Sequence, residues 1–326
     1  MIVYNTKAFT ARILVIAIGL CWLAIVPLTA GCSPFSTIKK TTLTIKKTTK
    51  RITNVFDFSN ENLKKKVGLA LFENKTLISG LNFEETFPDN LATAINEACP
   101  DVLLVKPGEA ERRDRLVELP RQASGRVDTL ALAKAGRQLG YNAIVTGALI
   151  DLKTNTKKSG ILLFKDTHYF IQVKIMVEVY DTETGAKLLD ESYLDKIEVE
   201  TTESEPGAEY TFDIPAINEA LLNLANIMGE KICESVSRQP WQGYIVAING
   251  DEVAISSGSE AGLNVGQILE VYDSLKIIEG ANNQRFFIPG LKTGEIKITA
   301  VDPDRAKAVA VSGNVIWAGS TVKLKE

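Results

Sequence analysis

The cleanest alternation in the chain runs over residues 169–180. Tyr169, Ile171, Val173, Ile175, Val177 and Val179 share one side, and Gln172, Lys174 and Glu178 share the other. A period of two with one apolar side predicts a half-buried antiparallel strand. Asp181-Thr182-Glu183-Thr184-Gly185 supplies turn residues after it, so a partner strand is expected over 187–200. Upstream, the short apolar runs at 67–72, 102–105 and 143–149 read as buried strands. Between them the period changes. Phe87, Leu91, Ala94, Ile95 and Ala98 recur at helical spacing and Pro100 stops the pattern, which predicts a helix over 84–98. Asp128 can cap a second helix ending at Leu139, with Gly140 as its stop. Ile214, Ile217, Leu221, Leu224, Met228 and Ile232 mark a long amphipathic helix, its stripe read as core.

Beyond Pro240-Trp241 the pattern shortens. Strands are expected over 244–248, 252–255, 267–272, 294–301 and 307–311, with Asn249-Gly250 as a hairpin signal and Gly258, Gly262 and Gly266 as turn residues. The fold class is therefore α+β, a mixed sheet with packed helices over 65–239, followed by a small all-β barrel-like domain over 240–326.

The amino-terminal pattern is different in kind. Lys7 and Arg12 precede an uncharged run over 13–30, which ends in Leu28-Thr29-Ala30-Gly31-Cys32-Ser33. A charged start, an apolar stretch and small residues before a cysteine form a bacterial lipoprotein signal. The signal peptidase needs small side chains beside the scissile bond, and the thiol receives the diacylglycerol. The reading is a signal peptide over 1–31, cleavage between Gly31 and Cys32, and lipidation of Cys32, with palmitate as the expected label. The run is also long enough to span a bilayer uncleaved. Lys39, Lys40, Lys46, Lys47, Lys50 and Arg51 outnumber Lys7 and Arg12, which by a positive-inside count would hold the body in the cytoplasm. Pro27 and the small residues Thr29–Gly31 favour cleavage. Residues 32–64 then form a basic, disordered tether containing the repeat Thr-Ile-Lys-Lys-Thr-Thr at 37–42 and 44–49. Its cations either lie against anionic headgroups or simply keep it solvated.

Composition narrows the function. The 326 residues are 45% hydrophobic and 24% charged, enough for a sizeable core, and the net charge of −3 argues against nucleic acid as a partner. Of four cysteines, Cys21 would leave with the leader and Cys32 would be acylated. Cys99 and Cys233 remain, either as one disulfide or as two buried thiols, because Cα separation decides the matter. The single histidine, His168, has no metal-site or triad motif around it, and phosphate-loop and nucleophile-elbow patterns are absent. No catalytic residue, metal or cofactor is assigned, and a non-enzymatic protein is expected.

Three stretches carry a family resemblance. Val67-Gly68-Leu69-Ala70-Leu71-Phe72-Glu73-Asn74 resembles the opening strand of the curli-secretion lipoprotein and of the TolB amino-terminal domain. Residues 139–147 resemble that family's strand entry, and residues 177–185 its strand-turn feature. The resemblance covers about 66–238. It implies a ring whose pore wall is built from two extended hairpins per subunit. The chain departs there, since 151–168 offers only Ile161-Leu162-Leu163-Phe164 as apolar material, a tip that either touches a partner or lipid or, the reading preferred, tucks in as a loop. Residues 198–213 carry Glu198, Glu200, Glu203, Glu205 and Glu209, too acidic to face lipid. Residues 241–324, through 253–267, 293–298 and 316–323, resemble the carboxy-terminal domain of flagellar assembly protein T. That protein also carries a TolB-like middle domain, so the domain order agrees.

The resulting expectation is a periplasm-facing, outer-membrane lipoprotein that acts as a scaffold or assembly component of an envelope machine, with a flagellar role implied by the second resemblance. Its partners would be the membrane, through the lipid, and other envelope proteins. Ser33 stands where inner-membrane lipoproteins often carry Asp, which favours the outer membrane over inner-membrane anchoring. The alternative is a ring-forming, homo-oligomeric subunit of a curli-like secretion channel.

Overall fold

The structure, a computed structural model, describes residues 63–78, 81–106, 119–161, 164–199, 213–281, 284–313 and 316–325. The expected signal peptide, Gly31, Cys32 and the tether up to residue 62 lie outside these residues, as does 200–212. Strand β1 (Lys65–Leu69) opens the first sheet and lies second from its edge. It pairs in parallel with β3 (Val102–Val105) on one side and β4 (Ala143–Ile161) on the other. Parallel neighbours need crossovers, supplied by α1 (Phe83–Ala98) and by a segment that includes α2 (Thr129–Leu139). β4, β5 (Phe164–Asp181) and β6 (Lys187–Val199) then run antiparallel, giving the order β3-β1-β4-β5-β6 with the short β2 (Glu73–Asn74) beside β4. The sheet is mixed, as its pattern predicts.

The alternation of β5 divides the layers. Ile171, Val173, Ile175, Val177 and Val179 are buried beneath α1 and α3 (Ile214–Ser237). Ile144 and Tyr180, on the opposite face, pack with Leu132 of α2. Only Ile214, at the first turn of α3, leaves the buried stripe and is exposed. α1 and α3 approach closely because Gly229 lacks a side chain, and a Cβ there would stand 2.7 Å from the Ala94 Cβ. At the same end of the pair Cys99, the C-cap of α1, is joined to Cys233 of α3 by a disulfide with Cα atoms 5.6 Å apart.

One expectation fails over 151–168. The segment does hold an extended hairpin, although its sequence reads as lacking one. β4 and β5 continue as a paired hairpin through Lys157–His168 and Ser159–Asp166 to Ile161–Phe164. β6 pairs with β5 only as far as Tyr169, so among the described residues the distal part is two-stranded. Residues 153–160 are all exposed. Ladder hydrogen bonds need no apolar face, and a hairpin polar on both sides leaves no alternation in the sequence to betray it.

The second domain is a closed, antiparallel six-stranded barrel. Its strands are β7 (Gly243–Asn249), β8 (Glu252–Ile255), β9 (Ile268–Tyr272), β12 (Lys292–Val301), β13 (Ala306–Gly313) and β14 (Thr321–Leu324), in the order β12-β13-β8-β7-β14-β9. β9 closes the ring by pairing with both β14 and β12. Gly250, in the β7–β8 turn, has φ +63°, the left-handed geometry that a tight hairpin requires. A side hairpin, β10 (Ile277–Glu279) and β11 (Arg285–Phe287), stands off the barrel. Leu63, near the end of the expected tether, is buried with Trp241 in the barrel's core cluster, and the Lys64 N–H donates to the Ala261 carbonyl at 2.9 Å. No helix among the described residues is long and apolar enough to cross a membrane.

Candidate functional site at the domain junction

The buried chemistry of the described residues gathers where α2 meets the barrel. Asp128 caps α2 by accepting from the Ala131 N–H at 3.0 Å, and Gly140 ends it in a left-handed conformation at φ +73°. A Cβ at 140 would run into the Ser256 carbonyl of the barrel, so the helix end is fitted to its neighbour. Arg137 lies four residues after Ala133 and seven after Leu130, on the buried side of the helix, and is 4% exposed. Its Nε donates to the Thr182 carbonyl at 3.0 Å. Nη1 donates to the carbonyls of Ser274 at 3.0 Å and Gly319 at 3.4 Å, and Nη2 to that of Glu183. The guanidinium carbon stands 3.8 Å from the centre of the Phe287 ring. One side chain thus ties the β5–β6 turn to two barrel loops and the side hairpin. Burial pushes the Arg137 pKa below its ordinary value, against the opposing pull of Tyr244, Glu183 and Asp181.

Neighbouring groups extend the join. The hydroxyls of Tyr244 and Thr182 lie 2.8 Å apart, and burial drives the Tyr244 phenol far above its usual pKa. Asn142 accepts from the Lys66 N–H at 2.9 Å and donates to the Gln242 carbonyl at 2.7 Å. Lys323 of β14 pairs with Glu183 at 3.0 Å. Trp241 Nε1, Gln242 Oε1 and Ser320 Oγ are buried without a hydrogen-bond partner among the described residues.

Beside Arg137 opens a cavity of about 380 Å³. Lys134, Arg137 and Gln138 form its α2 wall, Tyr244–Val246 its barrel wall, and Leu275, Ile277 and Phe287 the third side. The lining mixes Lys134, Arg137 and Gln138 with apolar and aromatic side chains, the usual make-up of a ligand site.

A second constellation lies on the hairpin. Ser159 Oγ is 2.7 Å from His168 Nε2, and His168 Nδ1 meets Glu198 Oε1. Hydroxyl, imidazole and carboxylate stand in the order of a nucleophile, its base and an orienting acid. Acyl transfer also needs preorganised oxyanion donors and excluded water. Among the described residues this strand face is solvent-exposed and supplies neither. Residues nine and thirty positions from His168 meet there only through strand register, which no motif records. Among the described residues, no group of three or more His, Cys, Asp or Glu could hold a metal ion.

Of the residues singled out in the sequence, Cys99 and Cys233 are joined at the α1–α3 side of the sheet, away from the α2 face. Gly31 and Cys32 lie outside the described residues. Arg137 was not legible as a site residue. Its one signal is a charge at the apolar spacing of Leu130 and Ala133.

No family profile matches the chain, and no curated protein matches it. Among solved structures it is similar to the protein CT253 of Chlamydia trachomatis, at 12% identity over 54% of this chain and 100% of that one, with a TM-score of 0.37. It is similar to lipoprotein GNA1162 of Neisseria meningitidis at 11% identity over 54% and 99%, with a TM-score of 0.29. For a minor lipoprotein of Acinetobacter baumannii the figures are 11%, 53% and 92%, with a TM-score of 0.24. These neighbours include bacterial lipoproteins. Likenesses of this size carry neither a family nor a function to the chain.

Proposed function

We propose that the chain is a lipid-anchored protein of the bacterial envelope, held at the periplasmic side of the outer membrane and serving as a non-enzymatic scaffold or assembly component. The observation that carries this reading is the run Leu28-Thr29-Ala30-Gly31-Cys32 at the end of an apolar leader. A junction whose polar groups are spent on joining two domains suits a body that presents surfaces to partners. The resemblance of 241–324 to flagellar assembly protein T makes a flagellar structure the first machine to examine. Metabolic labelling with palmitate tests the anchor: the wild-type chain takes up label and Cys32→Ala takes up none. Label that persists in Cys32→Ala overturns the reading, and fractionation of the labelled chain with the inner membrane overturns its outer-membrane part.

A second reading, a ring-forming subunit of a secretion channel, draws on the extended β4–β5 hairpin. Negative-stain imaging of the detergent-extracted chain separates the two. Single bodies are expected for the scaffold, and a symmetric ring with a lumen would replace it.

A further inference from the structure

We propose that the cavity beside Arg137 binds a small amphipathic anion, a molecule with an apolar body and one carboxylate. Its volume of about 380 Å³ falls within the range of ligand sites, and its position between two domains is where such sites concentrate. Ile245, Leu275, Ile277 and Phe287 give it an apolar interior. Its charged lining residues are Lys134 and Arg137, both cationic, and no carboxylate is among the lining. The site therefore selects by charge as well as by shape.

Arg137 is built for the role. A guanidinium has five N–H donors, and among the described residues the hydrogen bonds to the carbonyls of Thr182, Glu183, Ser274 and Gly319 use four of them, which leaves one for a ligand. Those four acceptors are neutral, so the buried charge has no carboxylate bonded to it. The nearby carboxylates are committed elsewhere. Asp181 accepts from the N–H groups of Glu183 and Thr184, both at 3.0 Å, and Glu183 pairs with Lys323. Burial lowers the Arg137 pKa in spite of the opposing pull of Tyr244, Glu183 and Asp181. A carboxylate bound here would give the cation a charge-assisted partner, and the guanidinium is already held in place by four hydrogen bonds, so its own ordering costs little on binding. An apolar body would cover Leu275 and Ile277, which stand 39% and 42% exposed. Exposed Lys134, one turn earlier on α2, adds a second positive charge at the edge.

The test is calorimetric titration of the full chain with 4-phenylbutyrate, its neutral amide 4-phenylbutyramide, and acetate. The carboxylate is expected to bind saturably and about tenfold more tightly than the amide, the worth of one charge-assisted hydrogen bond. Acetate, lacking the apolar body, should not saturate. Lys134→Glu should weaken the carboxylate selectively, and Ala318→Phe, at the lining, should block both aromatic ligands while circular dichroism stays native. Equal affinity for acid and amide, saturable binding of acetate, failure of the folded wild-type chain to bind the carboxylate, or unchanged binding in both variants would each overturn the proposal.

Discussion

Gly136 and Arg137 do opposite things on the same turn of α2. At 136 the missing side chain lets the helix sit against Thr182 and Ile144, where a Cβ would meet the Ile144 Cδ1 at 2.9 Å. At 137 a long side chain reaches across that close contact to carbonyls on two domains. Replacing Arg137 with Leu removes the donors and leaves buried carbonyls without partners, so urea unfolding should show a loss of about 3 kcal/mol or more. Arg137→Lys should recover part of it, since an ammonium replaces some donors but not the planar fork stacked on Phe287. A loss below about 1 kcal/mol in Arg137→Leu would mean that water takes over the hydrogen bonding. The charge at 137 was visible in the sequence, but its acceptors lie 45 to 182 positions away and none is marked by its own residue type.

At the scale of elements, the pattern predicted most of what buries an apolar face. The stripe of α3, the alternation of β5 and the caps of α2 are written in local spacing, and the structure has each of them. The distal hairpin was missed because its residues 153–160 bury no face. The Cys99–Cys233 choice stayed open because Cα separation belongs to the packing of α1 on α3 and not to either helix. The bridge spans 134 residues of sequence, and a loop of that length constrains the unfolded chain strongly. Reduction, or the double change Cys99→Ser with Cys233→Ser, should lower stability by about 2–4 kcal/mol, read as a fall in the thermal midpoint. An unchanged midpoint on reduction would show that the bridge adds no constraint beyond that of the packed helices.

For the whole molecule, the change from helical stripes to short strands at Pro240-Trp241 announced two folds in one chain, but nothing local said how they would be joined. The junction depends on single residues such as Asn142 and Arg137, each contributed by the first domain and answered by the second. Its entry point has a mechanical side. Leu63 is buried with the barrel's core cluster, the Lys64 N–H is bonded to Ala261, and the next five residues form β1, the strand held between β3 and β4 of the mixed sheet. A pull arriving from the amino-terminal side meets both domains within three residues. Beyond that point it runs along β1, whose parallel partners β3 and β4 resist sliding together, so the load is shared in shear and does not unzip one bond at a time. The strand paired in parallel on both sides is also the one placed to bear a pull from the amino-terminal side.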